Sequence, residues 1–108
     1  MRLDMPQAVS TYFTAADARD VPAMVGAFTE TAIVKDEGHA HHGRAAIRRW
    51  IEETLRKYDY RVEPTDVAEV DGETVVTGIV SGTFPGSPIT LRHAFTIEDG
   101  GIARLEIG

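Results

Sequence analysis

His93 attracts attention because an ionisable ring occupies the apolar row of a predicted strand. Taking every second residue, that row consists of Leu91, His93, Phe95 and Ile97. Successive side chains of a strand point to opposite faces, so this row is expected to face inward. A buried imidazole needs a hydrogen-bond partner, which a carboxylate, a ligand, a backbone carbonyl or a water could supply. We therefore predict that His93 faces a pocket.

Asp36 is the side chain best suited to move a proton. On its predicted strand it shares one face with Ala32 and Val34, while Lys35 and Glu37 take the other. If the apolar face points inward, burial raises the pKa of the Asp36 carboxyl and makes it a candidate general base beside a substrate carbonyl. The alternative is a carboxylate at a strand end that accepts hydrogen bonds from turn amides.

Tyr12 and Trp50 lie in the apolar stripes of predicted helices, where an aromatic side chain most often belongs to the core. Each ring also has a polar tip that can be presented to a cavity. We predict that Trp50 forms part of the pocket wall, whereas a chemical role for Tyr12 comes from the family resemblance described below.

Three histidines, His39, His41 and His42, form a cluster in the second half of a predicted hairpin. In a strand His39 and His41 share a face, and with Asp36 or Glu37 they could compose a metal site of two histidines and one carboxylate. The spacing is common, and a solvated hairpin explains it without a ligand. We therefore predict no metal site and place His39 and His41 at the pocket rim.

Three amphipathic helices and a set of strands must position these side chains. The first helix is predicted after Asp4, which can cap it, the second after Asp20 and the third after Gly43. A short hairpin turning at Gly38 lies between the second and third helices. After Tyr58 the pattern changes from helical spacing to strands.

Four strands in a meander are predicted for the second half of the chain. Their turns are indicated by Asp71-Gly72, Phe84–Pro88 and Asp99–Gly101. Gly78 and Gly82 suit a close backbone approach or a bend. A long twisted sheet with one apolar face must be covered. We therefore predict an α+β fold in which a curved antiparallel sheet of about six strands wraps round three helices and encloses a pocket.

The composition argues against several classes of function. The chain has 108 residues, enough for one domain over residues 1–108 with a single core. Its 17 acidic and 11 basic residues give a net charge of −6, which disfavours nucleic acids and anionic membranes. It has no cysteine, hence no disulfide and no thiolate site. Residues 1–4 carry no apolar leader and no segment reaches the length of a membrane span, so we expect a cytoplasmic protein.

Five segments spread over nearly the whole chain carry a family resemblance: Tyr12-Phe13, Ala32–Gly38, Gly43–Ile47, Gly82–Pro88 and Phe95–Ile102. In sequence and order they resemble the nuclear transport factor 2-like superfamily, and within it the SnoaL-like branch of polyketide cyclases and ketosteroid isomerases. This superfold hosts cyclases, isomerases, dehydratases, binding modules and transport factors, so the resemblance implies a fold and a pocket rather than one activity.

The ketosteroid isomerases imply specific roles. Tyr12 falls on their oxyanion-hole tyrosine and Asp36 on their base, whereas their third catalytic position, an aspartate, falls near His93. The resemblance therefore implies proton transfer by Asp36 without a cofactor, with Tyr12 and His93 stabilising an enolate or positioning the substrate. Because an imidazole replaces a carboxylic acid, isomerisation of steroids does not follow. We expect further substrate contacts from Trp50, Phe28, Phe95, His41 and His39.

Three functions remain open at this point. The first is an isomerase, cyclase or dehydratase that needs no cofactor. The second is a module that binds a small apolar ligand without chemistry. The third is an interaction domain whose exposed sheet face forms a homodimer, an assembly that the family resemblance also implies. We expect no nucleic-acid or membrane partner.

Overall fold

The computed structural model describes residues 3–108, which form three helices and one sheet of six strands. Met1 and Arg2 lie outside the described residues, and with them half of the segment 1–4 in which no apolar leader was found. In chain order the elements are α1 (Gln7–Asp17), α2 (Val21–Gly26), β1 (Phe28–Asp36), β2 (His39–His42), α3 (Gly43–Tyr58), β3 (Arg61–Val70), β4 (Glu73–Ser81), β5 (Ile89–Glu98) and β6 (Gly101–Ile107). The predicted order of helix, helix, hairpin, helix and four strands is confirmed.

Of the N-caps predicted for the first two helices, the one for α2 is confirmed and the one for α1 is not. Pro6, not Asp4, occupies the N-cap position of α1, and its carbonyl accepts hydrogen bonds from two amides of the first turn at 3.0 Å. The prediction for Asp4 is therefore wrong, because a residue that precedes proline avoids helical backbone and Met5 stays outside the helix. Asp20 does cap α2, since its Oδ1 accepts a hydrogen bond from the amide of Ala23 at 3.2 Å.

The strands follow the order β2-β1-β6-β5-β4-β3, and β3 to β6 form the predicted meander. All neighbours are antiparallel except β1 and β6, which run parallel with Val34 opposite Leu105. The α+β fold class is confirmed, but the sheet is mixed rather than wholly antiparallel. The reason is topological: α3 carries the chain from β2 to the far edge, and the meander then returns β6 alongside β1.

The sheet bends where its register shifts, and two glycines, one in β4 and one directly after it, allow close packing. Register shifts occur in the pairs β1–β6, β3–β4 and β5–β6, and such bulges bend and twist a strand. A Cβ at Gly78 would lie 2.8 Å from Cγ1 of Val62, and one at Gly82 would lie 2.5 Å from the carbonyl oxygen of Tyr58. The close backbone approach predicted for Gly82 is confirmed, whereas the close neighbour of Gly78 is a side chain.

The helices pack against one face of the sheet and bury an apolar core. The predicted stripe of α3 is part of it, with Ile47, Trp50 and Ile51 buried. The largest fully buried side chains are Val9, Met24, Phe28, Val34, Ile47, Ile51, Val76, Phe95, Ile102 and Leu105. These side chains fill only part of the space between helices and sheet. In residues 3–108, no helix is long and apolar enough to cross a membrane.

Candidate functional site

A cavity of about 310 Å³ occupies the part of the interior that the core leaves open. Helices α1 and α3 form one side of it, and strands β3 to β6 with the loop after β4 form the other. The volume lies at the low end of the range for small-molecule sites. Most of the wall is aromatic or aliphatic, and its polar groups belong to Tyr12, Asp36, Glu37, Trp50, Thr54, Tyr58, Tyr60 and His93.

Asp36 reaches this cavity from the end of β1. Ala32 and Val34 are fully buried on the same strand face, so alternation turns the half-buried Asp36 towards the interior. Helix α3 packs against β1 and brings Trp50 into reach, and its Nε1–H donates to Oδ2 of Asp36 at 3.0 Å. Burial raises the pKa of Asp36, and the hydrogen bond from Trp50 acts against that rise. The carboxyl is therefore held in a fixed orientation with a proton affinity above normal.

Tyr12 forms the α1 side of the cavity and is 3% exposed. Its ring meets those of Phe13, Phe28 and Phe95 edge to face, with centroids 5.3 to 5.8 Å apart. Burial, followed by the neighbouring Tyr60, raises the pKa of Tyr12 well above its usual value. Burial likewise raises the pKa of Tyr60. Both hydroxyls therefore keep their protons at neutral pH and can act as hydrogen-bond donors.

His93 lies in the β5 wall of the cavity and is 3% exposed. Its Nδ1 is 3.3 Å from the carbonyl oxygen of Val76 on the neighbouring strand. Burial lowers the pKa of His93 to about 4, although the bond to Val76 acts in the opposite direction. The ring is therefore neutral at pH 7. It meets Phe13 edge to face at 5.4 Å and is stacked with Phe95 at 6.5 Å.

The structure brings four of the predicted residues together, since Tyr12, Asp36, Trp50 and His93 all line the cavity. Phe28 and Phe95, predicted as substrate contacts, do not belong to its wall. They are 1% and 0% exposed, and their rings pack behind Tyr12. Strand alternation gave the inward direction of Phe95 correctly. Phe28 was predicted on the apolar side of the second helix, but α2 ends at Gly26 and Phe28 is the first residue of β1. At both positions the space is already filled by neighbouring side chains.

His39 and His41 also lie outside the cavity wall. His39 is opposite Asp36 in the β1–β2 hairpin and is exposed. The half-buried His41 is stacked on Trp50 with ring centroids 5.9 Å apart, so it supports the residue that orients Asp36. Within residues 3–108, no three histidine, cysteine or acidic side chains are grouped as a metal ion would require.

Sequence reasoning missed Tyr60 and Thr54, two polar residues of the wall. Tyr60 directly precedes β3 and lies two residues before Val62, which also lines the cavity, and this period-two pattern after Tyr58 was the available signal. Thr54 lies one helical turn after Trp50, so helical spacing places both on the same face of α3. Its hydroxyl donates to the carbonyl oxygen of Trp50 at 2.9 Å.

The mouth of the cavity is formed by the β1–β2 turn, the end of α3 and the loop after β4. The Tyr58 hydroxyl donates to Oε1 of the exposed Glu37 at 3.0 Å. The rings of Tyr58 and Phe84 meet edge to face, with centroids 5.8 Å apart. Exposed Pro85 and Ile89 complete this rim, so the opening is flanked by apolar surface and one carboxylate.

Comparisons with known proteins agree with this architecture. The family model described as the SnoaL-like domain matches residues 9–105. A candidate polyketide cyclase from Sinorhizobium meliloti is 43% identical over 97% of this chain and 96% of that one, with a TM-score of 0.94. The comparison with curated proteins gave no match.

Two more distant structures share the fold. SalBIII, an epoxide hydrolase/cyclase-like enzyme of pyran ring formation in the polyether salinomycin, is 24% identical over 94% of this chain and 86% of that one, with a TM-score of 0.81. A nuclear transport factor 2-like protein from Cytophaga hutchinsonii is 13% identical over 100% of this chain and 91% of that one, with a TM-score of 0.81.

Proposed function

The chain belongs to the SnoaL-like domain family, related to polyketide cyclases and isomerases, and from this premise we propose that it binds a small, largely apolar molecule in the cavity and transfers a proton on it without a cofactor. The observation that carries the proposal is the Asp36 carboxyl, which is fixed by Trp50 in the wall of a mostly apolar cavity. The three residues assigned to chemistry or positioning are Asp36, Tyr12 and His93.

Asp36 acts as the general base. A base works best when its pKa approaches the operating pH, and burial moves the pKa of Asp36 upward in that direction. The hydrogen bond from Trp50 engages Oδ2 and holds the carboxyl in the cavity wall, where a substrate can reach it. Since only the ionised carboxyl can remove a proton, the rate is expected to rise as the pH increases through the raised pKa of Asp36 and then to level off.

Tyr12 donates a hydrogen bond to the carbonyl oxygen of the substrate. Removal of a proton next to a carbonyl places negative charge on the carbonyl oxygen, and a buried hydroxyl donor stabilises that charge without reorganising water. The raised pKa keeps the Tyr12 proton on its oxygen, so the hydroxyl stays a donor. The Tyr60 hydroxyl beside it is a second donor for the same developing charge.

The test measures proton exchange on a simple enolisable ketone, because the natural substrate is not required for it. The protein is incubated with 2-tetralone in D₂O, and incorporation of deuterium next to the carbonyl is followed by NMR. We expect the protein to exchange deuterium faster than the buffer does. Asp36→Asn should lower this catalysed rate by at least about a hundredfold. Glu37→Gln, which changes the neighbouring exposed carboxylate, is the matched control and should retain exchange.

A non-catalytic binding module is the alternative that this experiment separates. If Asp36→Asn exchanges deuterium as fast as the original chain, the role of Asp36 as a base is refuted. If neither protein accelerates exchange but both bind the ketone with the same affinity in an NMR titration, the cavity binds without chemistry. The homodimer through the sheet, the cytoplasmic location and the lack of nucleic-acid and membrane partners stay predictions, of which sedimentation tests the first.

A further inference from the structure

We infer that the molecule held in this cavity presents a hydroxyl or an N–H group to Nε2 of His93. The inference rests on the proposed binding function and adds the chemical class of the ligand. It makes His93 a residue that determines specificity by accepting a hydrogen bond.

The position of the proton follows from the partner of Nδ1. A backbone carbonyl can only accept, so the contact between Nδ1 of His93 and the carbonyl oxygen of Val76 at 3.3 Å requires the proton to be on Nδ1. In a neutral imidazole the other nitrogen then carries a lone pair and no proton. Burial keeps the ring neutral, since the pKa of His93 is lowered to about 4. Nε2 is therefore an acceptor.

The direction of Nε2 follows from the environment of the ring. In the described part of the chain, no fully buried side-chain nitrogen or oxygen lacks a hydrogen-bond partner. The side-chain hydrogen bond of His93 engages Nδ1, so Nε2 must reach open space. His93 is 3% exposed, and the open space it borders is the cavity. A buried acceptor is thus directed into the cavity.

The donor for Nε2 has to come from the contents of the cavity. The rings nearest His93 belong to Phe13 and Phe95, which have no polar atoms. Across residues 3–108, the cavity wall contains no lysine or arginine, and none of its hydroxyl groups donates a hydrogen bond to Nε2. Water can fill this role in the empty cavity, but an apolar ligand that displaces the water leaves Nε2 unpaired, which weakens its binding. A ligand with a hydroxyl or an N–H at this point avoids the loss.

As a hydrogen-bond acceptor, His93 differs from the carboxylic acid that occupies the matching position in ketosteroid isomerases. A protonated acid donates a hydrogen bond to an oxyanion. Nε2 without a proton cannot donate, so of the two roles expected for His93 the positioning of substrate is retained and the stabilisation of an enolate is not. Tyr12 and Tyr60 keep the donor role.

The experiment compares p-cresol with p-xylene, in which a methyl group of nearly the same size replaces the hydroxyl. Affinities are measured from amide NMR shifts of the full chain. The original chain should bind p-cresol on the order of tenfold more tightly than p-xylene, because one hydrogen bond is made or lost. His93→Phe should lose this preference, because the hydroxyl of p-cresol then has no acceptor at this point. His39→Phe, the same replacement at an exposed histidine outside the cavity wall, should keep the preference for p-cresol.

A second measurement on the original chain does not depend on a variant that folds. Imidazole ¹⁵N shifts should show the proton on Nδ1, and p-cresol but not p-xylene should shift the Nε2 resonance. A proton found on Nε2, or equal affinity for the two probes, overturns this inference while leaving the proposed binding function intact. If neither probe binds at its solubility limit, the binding function and the inference both fail.

Discussion

Two regions of the interior share the same strands but differ in how completely they are filled. In the filled region, Phe28, Phe95 and Leu105 are buried without open space beside them. In the open region, a cavity of about 310 Å³ separates α1 and α3 from the sheet. Phe95 and His93 show the change within one row of β5, since the first belongs to the core and the second borders the cavity.

The difference shows where this fold tolerates buried polarity. The filled region is apolar, whereas the open region contains the buried ionisable groups. There, burial acts on two of them in opposite directions, because it always disfavours the charged form. It raises the pKa of Asp36 and lowers that of His93. One cavity thus holds an acid and a base whose proton affinities approach each other.

The largest effect expected from this comparison concerns the stability of the filled region. Phe95→Ala should lower the free energy of unfolding by about 3–5 kcal/mol, because a fully buried ring is replaced by a void. Leu91→Ala, two steps along the same row but at the cavity wall, should lower it by only about 1 kcal/mol, since that side chain already borders open space. Urea unfolding of both variants measures the difference, and equal losses would contradict the division into two regions.

The next effect is the dependence of stability on pH. His93 has a folded-state pKa of about 4 and an unfolded value of 6.5, so the unfolded chain binds the proton more readily. Its contribution of about 3 kcal/mol is fully present above pH 6.5 and is lost as the pH falls towards 4. Asp36 acts with the opposite sign, because its raised pKa favours the folded state at low pH and that contribution is lost as the pH rises.

Unfolding of the original chain and of His93→Phe between pH 4 and pH 7 measures this contribution. The difference in stability between the two should change by about 3 kcal/mol over that range. A constant difference would show that His93 titrates normally and is not in a desolvated wall. Asp36→Asn is the matched control, because it should leave the His93 slope intact and remove only the opposing one.

A smaller effect is expected from the hydrogen bond that orients the Asp36 carboxyl in the open region. Trp50→Phe removes the N–H that donates to Asp36, so the pKa of Asp36 should rise further. Stability should fall by about 1–2 kcal/mol, since a hydrogen bond and part of a buried ring are lost. The carboxyl ¹³C shift of Asp36 followed against pH measures the pKa directly. An unchanged pKa would mean that Trp50 packs beside the carboxyl without determining its protonation.

The smallest effect is expected at the mouth. Tyr58→Phe removes an exposed hydrogen bond to Glu37 and should change stability by less than about 0.5 kcal/mol. Affinity for p-cresol should stay within about twofold, because a bond at the exposed rim contributes little. A large loss in either measurement would extend the functional region from the buried wall to the rim.

Much of the sequence-based prediction rests on strand alternation. The limits of this pattern explain why Phe95 was placed at the ligand and why Tyr60 was not identified. It indicated the face of His93 and of Phe95 alike, but it cannot tell whether the space in front of a side chain is filled, and so Phe95 was assigned to the ligand. The same pattern would have found Tyr60, had the strand after Tyr58 been followed from its first residues. The bond from Trp50 to Asp36 depends on how α3 packs against β1, which the sequence does not reveal.

The parallel pairing of β1 with β6 has a consequence for how the site forms as the chain folds. Asp36 and Trp50 belong to the local unit of β1, β2 and α3, whereas His93 belongs to the meander of β3 to β6. These units are joined by the parallel pairing of β1 with β6, in which Val34 lies opposite Leu105. We call this pairing the seam. Because its residues are far apart in the sequence, it closes a long loop and forms slowly. We expect the two halves of the cavity to form separately and the complete site to appear only when this seam closes.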